Sequence, residues 1–205
     1  ITYDAIAPTI SSTSPGTSAY VNHAKVSYTL SEAIASGTIT WTRTGGTEDS
    51  NSPYAKALTG TELNSGAHTD ITLTNTPTTL IDVAIYTVSF DAVDLAGNSA
   101  TTVSATGVTY DVTKPTITAP SEGSSTEDLD YQNVTTSLII SWTAGSDATA
   151  GIEKYEYALG TTAGGAETVT WTSVGSATTA TLTGLSLTDV TKYYATIRAT
   201  DKAGN

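Results

Sequence analysis

Along most of the chain, apolar and polar residues alternate with a period of two. Val26, Tyr28 and Leu30 carry the pattern, followed by Ile39 and Trp41, Ile71 and Leu73, and Tyr86, Val88, Phe90 and Ala92. It resumes in Leu138, Ile140 and Trp142, in Tyr155, Tyr157 and Leu159, in Ala180 and Leu182, and in Tyr193, Ala195, Ile197 and Ala199. Successive side chains of a strand point to opposite faces, so each set predicts a strand with one face buried. Gly45-Gly46, Ser65-Gly66, Gly164-Gly165 and Gly175-Ser176 predict turns between them. Short strands at regular spacing, with no helical period between them, predict β-sandwiches rather than βαβ units.

The pattern occurs twice. Thr2-Tyr3-Asp4-Ala5-Ile6-Ala7-Pro8-Thr9-Ile10 returns 107 residues on as Thr109-Tyr110-Asp111-Val112-Thr113-Lys114-Pro115-Thr116-Ile117. At the same offset, the segment from Tyr86 through Asp94 to Gly97-Asn98 returns as the one from Tyr193 through Asp201 to Gly204-Asn205. Two signatures sharing one period mean two divergent copies of one unit of sandwich size. The expected division is 1–110 and 111–205. The first copy has a last strand at Val103–Tyr110, and the second stops at Asn205 without one. Ile1-Thr2-Tyr3 matches Val108-Thr109-Tyr110, so the chain is expected to open on the tail of a preceding repeat. A fragment boundary accounts for this, as does strand exchange between neighbouring molecules across an uncovered sheet edge.

Composition sharpens the picture. The chain has 205 residues, no Cys, no Met and a net charge of −12, with eight basic residues against 20 acidic ones. That balance argues against nucleic acid and an anionic membrane surface as partners, and no apolar run approaches the roughly 20 residues of a membrane span. Lack of Cys removes disulfides, thiolate metal sites and thiol nucleophiles. Packing must hold the fold, alone or with bound ions.

The segments from Ser141-Trp142 and Gly151–Tyr157, through Leu182-Thr-Gly-Leu185, to Thr191–Tyr193 and Ile197–Ala199 resemble a fibronectin type III domain. In that comparison they stand for a core Trp, the third strand, and a leucine and tyrosine-corner segment. The first copy, through Val26–Glu32, Gly37–Trp41 and Asp94–Asn98, resembles immunoglobulin-like repeats of bacterial surface proteins. Together the resemblances cover nearly the whole chain. They imply an all-β fold of two tandem immunoglobulin-like (fibronectin type III-like) sandwiches and an extracellular or cell-surface location.

Candidate chemistry is sparse. In this topology Asp111, Asp147, Asp201 and Asn205 fall at the end of the second domain facing the first, and Asp82 lies on the pole of the first domain opposite. Asp4, Asp94 and Asn98, with Glu32 nearby, form the equivalent set at the start of the first domain. Ca²⁺ takes six to eight oxygen ligands, and convergent carboxylates offer them. The bland alternative is turn chemistry, because Asp-x-Ala-Gly-Asn caps its own backbone. The acidic stretch Glu127-Asp128-Leu129-Asp130 reads as solvated surface or a contact with a following domain. His23 and His68 have no partner at catalytic spacing, and no phosphate loop is present, so no enzyme activity is expected. Trp41 and Trp142 read as core. Trp171 and Tyr194 are the residues with which a sugar could stack. Lys25 and Lys154 are the lysines considered for an isopeptide bond, and both have ordinary exposed readings.

The expected role is that of non-catalytic spacer repeats in a bacterial surface or secreted, adhesin-like protein, stiffened by Ca²⁺ at domain junctions. Their partners would be neighbouring repeats of the same polypeptide and a host or matrix glycan or protein. Direct adhesion or sugar binding is the alternative, as is an accessory role beside a polysaccharide-degrading enzyme.

Overall fold

In the computed structural model the described residues are 3–74, 79–123 and 130–205. Ile1 and Thr2 of the first repeat signature, and Glu127, Asp128 and Leu129 of the acidic stretch, lie outside them. The chain divides into two units, Ile1–Val112 and Thr113–Asn205. Both are built from strands, as the alternation predicts, and a single 3₁₀ turn at Gly60–Leu63 is the one helical element among the described residues.

The first unit has β1 (Ile10–Ser14), β2 (Tyr20–Val21), β3 (Lys25–Leu30), β4 (Ile34–Gly46), β5 (Tyr54–Ala57), β6 (Gly66–Thr72), β7 (Ala84–Asp94) and β8 (Val103–Tyr110). They form two sheets, ordered β1-β3-β6 and β2-β8-β7-β4-β5. The alternating residues of β7 face inward: Tyr86, Val88, Phe90 and Ala92 are 0, 0, 2 and 3% exposed. Trp41 on β4 meets the edge of Tyr86 at 5.9 Å, and Tyr28 on β3 reaches Phe90 from the other sheet at 6.2 Å. Each such side chain contributes about 1.5–3 kcal/mol by leaving water. Gly45-Gly46 is not a turn. Both residues lie in β4, beside a break in its register with β7, and the positive φ of Gly46 lets the strand end there.

One carboxylate is built into this core. Asp49, on the loop from β4 to β5, accepts hydrogen bonds from Tyr54 Oη (2.9 Å), Tyr86 Oη (2.6 Å) and the Asn51 amide (3.1 Å). Burial pushes its carboxyl up, but these donors outweigh burial and hold it below the usual carboxylate range. Burial and the Asp49 charge push the Tyr54 hydroxyl up to about 12. Tyr86 Oη also accepts the Ile81 amide at 3.0 Å.

The second unit has β9 (Ser121–Glu122), β10 (Ser137–Ser141), β11 (Ile152–Gly160), β12 (Val169–Gly175), β13 (Thr179–Thr183) and β14 (Tyr194–Asp201). Its sheets run β13-β10-β9 and β12-β11-β14. Ile140, Trp142, Tyr155, Leu159 and Leu182 form its core, with Trp142 edge-on to Tyr155 at 5.7 Å. Tyr193 Oη accepts the Thr188 amide at 3.0 Å. This is the bond Tyr86 makes, 107 residues on, so the repeat extends to individual hydrogen bonds.

Candidate functional site

Each unit ends a core strand on the same acidic turn. Asp94 closes β7, and its Oδ1 accepts the Ala96 and Asn98 amides, both at 2.8 Å. Its Oδ2 accepts Asn98 Nδ2 at 2.7 Å. Asp201 closes β14 in the same way, taking the Ala203 and Asn205 amides at 2.9 Å on Oδ1 and Asn205 Nδ2 at 3.0 Å on Oδ2. Gly97 and Gly204 occupy the left-handed region the turn requires, at φ +96° and +92°. Asp94 is 1% exposed and Asp201 is 0% exposed. Burial pushes the Asp94 carboxyl up; the Asn98 side chain and the backbone amides outweigh it and keep it below its ordinary value.

The turn explains the motif, but more carboxylates gather there than a turn needs. Asp4, Glu32 and Asp94 each bring an oxygen within 4.8 Å of the others. Asp4 arrives on the chain leading to β1, where its Oδ1 accepts the Ile6 amide at 3.0 Å, and its carbonyl accepts Asn98 Nδ2 at 3.3 Å. Glu32 stands between β3 and β4. Asp4 is exposed, Glu32 half-buried and Asp94 buried, so the group runs from solvent into the protein. Three carboxylates thus converge beside the Asn98 side chain, and carboxylate oxygens are ligands of the kind hard cations take.

In the second unit, Asp147 and Asp201 bring carboxylate oxygens within 4.8 Å of each other. Asp147 Oδ1 accepts the amides of Thr149 (3.0 Å), Ala150 (2.7 Å) and Gly151 (3.0 Å), whereas its Oδ2 is buried with no hydrogen-bond partner among the described residues. Asp111, the counterpart of Asp4 in the repeat, is buried at the end of β8, and its amide donates to the Val21 carbonyl at 2.9 Å. Asp82 stands beside the same segment, its Oδ1 accepting the amide of Val112, the residue after Asp111, at 2.9 Å. It belongs to neither acidic group of the described residues.

The aromatic candidates have cations on their faces. Trp171, on edge strand β12, is half-buried, and the Arg198 guanidinium lies over its ring at 4.3 Å. Arg198 is held by Glu156 at 3.0 Å. Tyr194 is half-buried with Lys192 Nζ 4.9 Å from its ring centre. One face of each ring is thereby covered. Lys25 and Lys154 pair with Asp70 and Glu156 at 3.5 Å. The buried lysine is Lys56, 2.9 Å from Glu62 Oε2; it follows Tyr54 by two residues on β5 and shares its buried face. Two cavities of the second unit, one lined by Thr116–Thr118 and Ala144–Ser146, the other by Ser121, Trp142 and Thr178 among others, present no titratable side chain.

No protein-family model matches the chain. Over 140 residues, 67% of the chain, it is 38% identical to Exoglucanase B of Cellulomonas fimi, of which it spans 12%. Among solved structures, the FN1–FN3 domains of chicken CNTN1 match 96% of the chain and 62% of their own, with a TM-score of 0.52 and 15% sequence identity. An identity that low speaks to the fold alone, and the fold of this chain is an all-β, fibronectin type III-like sandwich.

Proposed function

We propose that the chain supplies non-catalytic β-sandwich modules to a larger extracellular protein, and that this protein is a polysaccharide-degrading enzyme. The observation that carries the reading is the 38% identity to a segment amounting to 12% of an exoglucanase. Side-chain chemistry agrees with it: Asp49 and Glu62, both held below their ordinary carboxyl values, accept hydrogen bonds from internal donors. Such modules space and orient neighbouring modules of the same polypeptide. An adhesin would use the same mechanics, but the exoglucanase likeness favours the enzyme.

The chain is expected to stay in the supernatant over microcrystalline cellulose and to release no reducing sugar from it. Adsorption that disappears in Trp171→Ala would replace the spacer reading with a carbohydrate-binding one. Sugar release would end the non-catalytic reading.

The acidic groups have their own role in this proposal. Asp4, Glu32, Asp94 and Asn98 would hold Ca²⁺ at the start of the first unit. By the repeat, Asp201 and Asn205 correspond to Asp94 and Asn98, and Asp111 to Asp4; Glu32 has no counterpart at that offset, and Asp147 is the carboxylate beside Asp201 in the second unit. The support is the convergence of three carboxylates on a turn that needs one. A bound cation would relieve their mutual repulsion and tie the incoming chain to the ends of core strands.

A further inference from the structure

Among the described residues, two valines stand in the left-handed region, where a β-branched side chain is strained: Val83 at φ +64° and Val190 at φ +58°. They are 107 residues apart, and each follows an Asp. The bond from the Ala84 amide to the Ile81 carbonyl (3.1 Å) returns as the one from Thr191 to Thr188 (3.3 Å). Strain that recurs in two divergent copies is built into the unit, and such strain persists where the surroundings use it. The first unit shows the use. The Val83 amide donates to the Tyr110 carbonyl at 2.8 Å, and the Val83 carbonyl accepts the Thr47 amide at 3.2 Å. The end of β4 comes so close that a Cβ on Gly46 would stand 2.0 Å from the Val83 carbonyl oxygen. Next to Val83, Asp82 Oδ1 accepts the Val112 amide at 2.9 Å. On the other side, the Ala19 and Val21 carbonyls that flank β2 accept the Thr109 and Asp111 amides, both at 2.9 Å. Each residue from 109 to 112 is thus held by a backbone bond to the turn or to the β2 segment. Burial, and after it the Asp82 charge, pushes the Tyr110 hydroxyl up.

We propose that the Ile81–Val83 turn is a latch on the segment by which the chain leaves the first unit, with Asp82 as its positioning residue. β8 ends at Tyr110, and two residues on Val112 is 45% exposed and outside the apolar core. Burial therefore does little to fix the backbone there, and the Asp82 carboxylate does it instead. The left-handed turn is what brings both donors and acceptors to one place. An ordinary negative φ at Val83 would rotate the peptide between Asp82 and Val83 and swing the two groups away from the exit segment. A module that orients its neighbours needs a fixed exit, so the use of the latch rests on the spacer reading. The latch itself is a property of the first unit alone.

Amide exchange and backbone order parameters of residues 110–114 test this, measured on the full chain in CaCl₂ and in EDTA. Asp82→Ala should speed exchange at Val112 by about tenfold or more, the loss of one hydrogen bond to a charged group. It should also lower the order parameters of Val112, Thr113 and Lys114 while leaving the unfolding midpoint of the first unit nearly unchanged. Asp82→Asn keeps an acceptor oxygen and should behave as the natural chain does. Val83→Gly relieves the strain without removing either group, and it should leave Val112 protected. An unchanged Val112 in Asp82→Ala overturns the proposal, and so does an Asn variant as loose as the Ala one. Protection at Val112 that disappears in EDTA also overturns it, because Asp82 would then act through a cation. Sugar release by the chain would end the spacer reading and leave each of these outcomes as it stands.

Discussion

Replacing Asp49 with Ala should destabilise the first unit by about 3–4 kcal/mol while leaving the unfolding of the second unchanged. The substitution removes an ionised acceptor from Tyr54, Tyr86 and the Asn51 amide, leaving the buried Tyr86 hydroxyl proton without that acceptor and Tyr54 with only the Thr79 carbonyl at 3.4 Å. A hydrogen bond to a charged group is worth about 1.5–3 kcal/mol, and leaving a buried donor unsatisfied costs about 1–3. These losses overlap, so they do not sum. A sandwich of this size has about 5–15 kcal/mol in all, and the variant should unfold at much lower denaturant concentration. Asp49 also gives the unit a pH dependence of known sign. Its folded carboxyl lies below the ordinary value, so its contribution is present above the unfolded value, about 4. That contribution is lost as pH falls through the lower folded value, and Asp49→Asn should remove it from an acid titration of the first transition. On the alkaline side Tyr54, pushed up to about 12, contributes below the unfolded tyrosine value of about 10. Its part fades as pH rises from there toward 12. A first transition indifferent to Asp49→Ala would mean that the carboxylate is solvated rather than part of the core.

Trp142→Ala should be the corresponding blow to the second unit, at about 3–5 kcal/mol. Trp142 is 7% exposed and lies edge-on against Tyr155, whose hydroxyl in turn accepts the Gly145 amide at 2.8 Å. Removing the indole opens a cavity in the core it shares with Ile140, Tyr155, Leu159 and Leu182. The indole Nε1 is buried and has no hydrogen-bond partner among the described residues. Trp142→Phe deletes that unsatisfied donor and keeps most of the ring, and it should cost much less than Trp142→Ala. Denaturant unfolding of both variants, followed through the remaining tryptophans, checks the difference. Equal losses would show that the Nε1 group is satisfied by water.

Period-two alternation made the sandwich strands legible in the sequence, because Tyr86, Val88, Phe90 and Ala92 bury one face and no competing period intervenes. The 107-residue repeat did more, since it carried over to the Tyr86–Ile81 and Tyr193–Thr188 bonds and to both Asp turns. What lay beyond reach depended on pairs distant in sequence. Asp49 meets Tyr86 across 37 positions from a loop with no periodicity, and Lys56 finds Glu62 through a 3₁₀ turn. Gly45-Gly46 misled because a glycine pair marks a turn by propensity, whereas pairing with β7 extends β4 through it. The covering of Trp171 by Arg198 came from the register of β11, which aligns Glu156 with Arg198.

The most direct test of these modules as calcium-holding spacers is the melting temperature of the first transition in millimolar CaCl₂ and in EDTA. It is best compared between the natural chain and Glu32→Gln, with Asp4→Asn alongside. Neither substitution touches the bonds that Asp94 makes to its own turn. Without calcium each removes a like charge from the group and should leave the melting temperature unchanged or slightly higher. With calcium the natural chain should rise well above its EDTA value, and both variants should lose most of that rise, so the order of stability inverts. Coincident curves in calcium and EDTA for the natural chain would contradict the cation site and leave Asp94 and Asp201 as turn-forming residues.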